Sequence, residues 1–201
     1  SINTPVENNT KILNSEDEIC WLNGDLFRVL ILHNYGGVYF DMDVVLLRDF
    51  SPILSQEFMY MWGHLLSNAG INGAVMRMFK KSKLSYDLLN EISNSNPIPR
   101  SHVWNRELYV KVRNYNKDWT VFPSGFFNSE WQDDPEQNWG SDEKNAFNEI
   151  DYKLYSGAFS WHWHNRWDNQ IHPKSKWKKV ENIIEKKLKD KLNIDYKYYN
   201  E

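Results

Sequence analysis

Gly36-Gly37-Val38-Tyr39-Phe40-Asp41-Met42-Asp43 is the stretch on which the reading of this chain turns, together with Asp25-Leu26-Phe27-Arg28 just upstream. A glycine pair ends a helix. Val38 to Asp41 then reads as a buried strand, and two carboxylates one residue apart fall in the turn at its end. Acids that close repel each other, so the arrangement calls for a cation between them. Carboxyl ends of strands in open α/β sheets are also where ligands bind. The residues therefore point to a divalent metal carrying a phosphorylated ligand. Asp25 and Arg28, at i and i+3, share one face of the helix that leads into this turn.

Outward from that block, Ser15-Glu16-Asp17-Glu18 is a capping box. Ile19, Leu22, Leu26, Val29, Leu30 and Leu32 follow at helical spacing to about Asn34. Val44–Leu47, Glu57–Trp62, Ile71–Phe79 and Trp119–Phe122 read as strands, and a polar loop with Asn68 and Gly70 separates the second from the third. Ser82 is placed to cap a helix through Tyr86, Leu88, Leu89 and Ile92, and another helix is expected over Arg106–Arg113. Residues 128–145 read as an acidic loop and Lys153–Trp161 as extended chain. Ser175–Leu192 reads as an amphipathic helix with Trp177, Val180, Ile184 and Leu188 on one stripe. Strands alternating with helices predict an α/β fold with a mixed, mostly parallel sheet flanked by helices.

The 201 residues fit one domain over 1–201, with tails at 1–14 and 193–201, either as a whole protein or as a piece of a longer one. A net charge of −3 argues against nucleic acid as a partner. No window has the long uncharged apolar run of a membrane helix. Cys20, the single cysteine, excludes an internal disulfide and reads as a small buried hydrophobe. The 10 tryptophans serve as core material or as platforms for sugar faces. A second dense cluster is His162-Trp163-His164-Asn165-Arg166-Trp167. In extended chain His162 and His164 face the same way, and a neutral imidazole is a metal ligand.

Asp-x-x-Arg followed by Gly-Gly-x-Tyr-x-Asp-x-Asp resembles the signature of the DXD glycosyltransferases with a GT-A fold. It is similar to the group that includes yeast initiating mannosyltransferase and globotriaosylceramide synthase, and more distantly to the glucosylating clostridial toxins. The strong match covers about residues 21–47, and a weaker one continues through Asn68-Ala69-Gly70-Ile71-Asn72-Gly73-Ala74. The resemblance implies a GT-A-like fold, here with no sign of the usual first strand ahead of the helix. It implies transfer of a sugar from a nucleotide-diphosphate sugar, UDP-sugar before GDP-sugar, to a carbohydrate, lipid or protein hydroxyl, with retention. Asp25 and Arg28 would hold the donor sugar. Asp43 would bind Mn2+ or Mg2+ directly, and Asp41 the metal through water or the ribose hydroxyls. Tyr39 would lie beside the nucleotide, and Asn72 would contact sugar or acceptor. Relatives close the site with a histidine followed by Trp or an Asn-basic pair. That favours His162 as a metal ligand and Asn165 and Trp167 as donor contacts, with His164 the other ligand candidate. The resemblance places such a chain on a cytoplasmic or host-cytoplasmic side, or in the Golgi lumen as part of a longer anchored protein. Two other functions fit the acidic turn: a nucleotide-sugar-binding domain without turnover, and a metal-dependent phosphohydrolase. The donor sugar, acceptor, linkage and oligomeric state are not written in the chain.

Overall fold

A computed structural model describes residues 3–9, 21–62, 70–95, 104–128, 157–163 and 172–192. They divide into two compact units, one within Ser1–Gln137 and Tyr155–His162, the other within Asn138–Leu154 and Trp163–Glu201. The capping box at 15–18, Cys20 and the acidic loop beyond residue 128 lie outside the described residues.

In the first unit, helix α1 (Trp21–Tyr35) leads into strand β1 (Gly37–Phe40) and, across the acidic turn, into β2 (Val44–Leu46). Leu26, Val29, Leu32 and His33 are buried at helical spacing, so one stripe of α1 faces the core. Gly36 ends the helix at φ +70°, and its N–H donates to the Leu32 carbonyl at 2.7 Å. A Cβ there would lie 2.7 Å from the Lys80 backbone nitrogen, so the position requires glycine on two counts.

β3 (Phe58–Met61) and β4 (Ile71–Met78) come next, then helix α2 (Lys83–Asn94), whose first turn is capped by Ser82 Oγ accepting from Ser85 N at 3.2 Å. A π turn at Trp104–Leu108 continues into α3 (Tyr109–Tyr115), and β5 (Thr120–Phe122) follows. The order in the main sheet is β1-β4-β3-β5, and β2 pairs separately with β6 (Ser160–His162). The fold is mixed α/β, as expected. The sheet is not mostly parallel, however: β1–β4, β3–β4 and β2–β6 are antiparallel, and of the described pairs β3–β5 alone is parallel. The link between β3 and β4 is too short for the crossover that parallel strands need, whereas β3 reaches β5 through α2 and α3.

β3 separates two apolar clusters by simple alternation. Met59 points into a core with α1, α2 and α3, and Phe58 and Tyr60 into an aromatic cluster with Phe50, Phe127 and Phe159. In the second unit, helix α4 (Lys176–Leu192) begins after Ser175, whose hydroxyl accepts from Lys178 N at 3.2 Å. Val180 is buried, and Trp177 packs on Trp163 with ring centroids 5.1 Å apart. No described helix is long and apolar enough to cross a membrane.

Gly36→Ala is expected to lower the free energy of unfolding by more than about 1–2 kcal/mol, the cost of left-handed backbone for alanine, since the clash with Lys80 adds to it. Gly24→Ala, within α1 with open space around its Cβ, is expected to raise stability by about 0.5–1 kcal/mol. Urea denaturation of the two variants checks both signs. Buried His33, with Nδ1 2.8 Å from Ser85 Oγ, is held below the ordinary histidine pKa by burial and then by the charge of Lys81. The unfolded chain therefore takes up this proton more readily. The stability contributed by neutral His33 is present above about pH 6.5 and is lost as pH falls through the lower folded value. Denaturation midpoints from pH 7 to 5 should fall less steeply in His33→Gln than in the parent.

Candidate functional site

The backbone ladder sets the acidic turn. Asp41 N–H donates to the Ala74 carbonyl at 2.8 Å, extending the β1–β4 pairing by one residue. Val44 N–H then donates to the Asp41 carbonyl at 3.1 Å, closing the turn. Met42, at its tip, is 92% exposed, while Asp43 is buried. The alternation turns the two acids inward and the residue between them outward.

Pairing of β2 with β6 sets Val44 opposite His162 and so brings in a residue more than a hundred positions away. His162 Nε2 lies 3.1 Å from Asp43 Oδ2. On the other side of the ring, Nδ1 lies 3.0 Å from the Tyr60 hydroxyl. Ligand atoms of Asp41, Asp43 and His162 all fall within 4.8 Å of one another.

Arg28 adjoins this group. Its Nη2 lies 3.0 Å from Asp25 Oδ1 and 3.1 Å from Asp41 Oδ1, so one nitrogen joins α1 to the acidic turn. Its guanidinium also sits 5.0 Å from the centre of the Tyr39 ring. Burial alone would lower the Arg28 pKa, but Tyr109, Asp41, Asp25 and Tyr39 together outweigh it, and the side chain stays charged. Burial pushes Tyr39 up to about 12, opposed by Arg28 and helped by Asp41. Tyr60 is raised well above its ordinary value, first by burial and then by Asp41 and Asp43. Both phenols are protonated at neutral pH.

Gly73 of β4 adjoins Arg28, and Asn72 precedes it on the strand. Asn72 Oδ1 accepts from Ala74 N at 2.7 Å. A Cβ at Gly73 would lie 2.8 Å from the Tyr109 hydroxyl and 3.2 Å from Arg28 Nη1, so glycine is what lets both groups approach the strand. Arg28 Nε, Asn72 Nδ2 and the Tyr109 hydroxyl are buried without a hydrogen-bond partner among the described residues. Buried polar groups left in that condition are costly, and a water or a polar ligand satisfies them.

The structure thus brings together Asp25, Arg28, Tyr39, Asp41, Asp43 and His162 of the residues singled out in the sequence, and Asn72 lies on the strand that pairs with β1. His164, Asn165 and Trp167 lie outside the described residues. Tyr60 and Tyr109 were not singled out: each stands in an apolar run and looks like core, and each is fully buried. Their hydroxyls become informative only through the long-range contacts.

Residues 2–60 match the family described as a glycosyltransferase sugar-binding region containing a DXD motif. Over this segment the chain is similar to the DXD glycosyltransferases. Asp41-Met42-Asp43 is the motif that gives the region its description. No curated protein and no solved structure matches the chain at a significant level. The donor set of the DXD region fits a divalent cation on chemical grounds. The two carboxylates suit either Mn2+ or Mg2+, whereas the imidazole suits a transition metal ion better than Mg2+. Three carboxylates also stand against one guanidinium, a surplus of negative charge that such a cation would balance.

Arg28→Met leaves two largely buried carboxylates facing each other without their cation. It is expected to cost about 3–5 kcal/mol, as breaking a buried ion pair does. Thermal or urea unfolding of the variant provides the measurement, and a loss below about 1 kcal/mol would show that the bridge is not structural.

Proposed function

We propose that this chain is a metal-dependent glycosyltransferase. It moves a sugar from a nucleotide-diphosphate sugar, UDP-linked in preference to GDP-linked, to a hydroxyl of a carbohydrate, lipid or protein acceptor. The observation that carries this reading is the convergence of Asp41, Asp43 and His162 within 4.8 Å, inside and opposite a DXD region. UDP as the nucleotide and retention of configuration rest on the resemblance of the Asp-x-x-Arg and Asp-x-Asp block.

Asp43 and His162 would hold Mn2+ or Mg2+ directly, and Asp41 would complete the protein's share of the ligands. When bound, the ion supplies charge neutralisation for the leaving diphosphate. The remaining roles belong to this chain's own side chains. Arg28, fixed by Asp25 and Asp41 through Nη2, keeps its buried Nε as a further donor for sugar or phosphate oxygens. Asn72 has its oxygen committed to the backbone and its amide nitrogen available to a sugar hydroxyl. Asp25 orients Arg28 and accepts from the donor sugar, and Tyr39 flanks the nucleotide. His164 as a further ligand candidate, and Asn165 and Trp167 as donor contacts, rest on the resemblance alone.

Release or transfer of sugar across a panel of UDP- and GDP-sugars, with Mn2+ or with chelator, tests the reading. Turnover should require the metal, and Asp43→Asn should lower it about a hundredfold or more, as expected when several kcal/mol of charge stabilisation is lost. Equal turnover of parent and variant in chelator would overturn it. Metal-dependent UDP binding with no turnover on any donor would instead indicate a binding domain, and release of inorganic phosphate a phosphohydrolase.

A further inference from the structure

His162 is gripped at both ring nitrogens. Nε2 lies 3.1 Å from Asp43 Oδ2 and Nδ1 lies 3.0 Å from the Tyr60 hydroxyl, all in the buried interior. We propose that Tyr60 is a positioning residue: through its hydrogen bond to Nδ1 it aims His162 Nε2 at the acidic turn and so sets the affinity and the choice of metal there. The inference rests on the reading of His162 as a ligand.

A neutral imidazole carries one proton on two nitrogens. With the proton on Nε2, that N–H donates to the Asp43 carboxylate, which can only accept. Nδ1 then offers a lone pair, and the Tyr60 O–H donates to it. A cation needs the lone pair at Nε2, so the proton must sit on Nδ1, and Tyr60 must then accept. A phenol serves in both senses because its oxygen both donates and accepts. The usual second partners of ligating histidines, carboxylates and backbone carbonyls, only accept and enforce one tautomer. Tyr60 therefore lets the ring exchange a hydrogen bond to Asp43 for a metal without losing its second anchor.

The phenol is fixed well enough for this task. Tyr60 lies on β3, between β4 and β5, and is fully buried. Its ring packs against that of Phe127, with centroids 5.3 Å apart. On the far side, β6 is held to β2 at the Val44–His162 pair. The hydroxyl and the imidazole thus project from strands of two different sheets and meet at the acidic turn. Removing the hydroxyl keeps the packed ring and releases the imidazole to turn.

Calorimetric titration of the full chain with Mn2+ and with Mg2+ tests this, comparing the parent with Tyr60→Phe, Phe127→Leu and His162→Ala. Tyr60→Phe should weaken Mn2+ about 10- to 100-fold, the usual effect of losing such an outer partner. Mg2+, which relies on carboxylates, should weaken less, so the Mn2+/Mg2+ preference falls. Phe127→Leu disturbs packing at the same ring but keeps the hydroxyl; it should lower Tm and leave Mn2+ affinity intact. Parent-like Mn2+ affinity in Tyr60→Phe would overturn the inference, as would an equal loss for both metals. Absence of Mn2+ binding by the parent, or unchanged binding in His162→Ala, would overturn the reading of the site beneath it.

Discussion

One guanidinium nitrogen holds two carboxylates that belong to different elements. Arg28 Nη2 touches Asp25 on the same helix and Asp41 across the turn. Without that cation the first unit would carry mutually repelling acids at the edge of its core. With it, the middle of α1 is tied to the turn after β1, and the polypeptide between them turns back at Gly36. The stacking of the same guanidinium on Tyr39 adds a contact from the strand itself. The charge that this side chain neutralises is only part of what the carboxylates bring, and the remainder makes the place hospitable to a second cation.

Tertiary pairing supplies the rest. Asp43 alone is a turn acid, and His162 alone is a buried histidine on a short strand. The β2–β6 ribbon makes them neighbours, and Tyr60 from the larger sheet fixes the ring from behind. Three short stretches of chain each contribute one polar side chain, and each of the three is buried.

Much of this was legible in the residues. Helical spacing and the glycine pair located α1 and its end, and the Asp25–Arg28 interval correctly implied a shared face. Ser82 caps its helix as its position suggests. The pairing of strands was not legible, because an apolar run reveals that a strand exists and not which neighbour it takes. That is why a mostly parallel sheet was expected where antiparallel pairing prevails. The second partner of Arg28 was hidden for the same reason. Tyr60 and Tyr109 were hidden by their surroundings: a tyrosine in a buried run looks like any aromatic until the direction of its hydroxyl is known.

The ribbon of β2 and β6 is only three residue pairs long, and it sits apart from the four-stranded sheet. Free energies of local opening vary widely within one protein, and buried strands do not lie at the low end. The ribbon's buried strand is also tied to the rest of the unit, through Ser160 to the Phe127 carbonyl and through His162 to Tyr60. Because β6 is buried along its whole length, competence at the acidic turn depends on keeping that strand covered, and not on the three pairs of the ribbon alone.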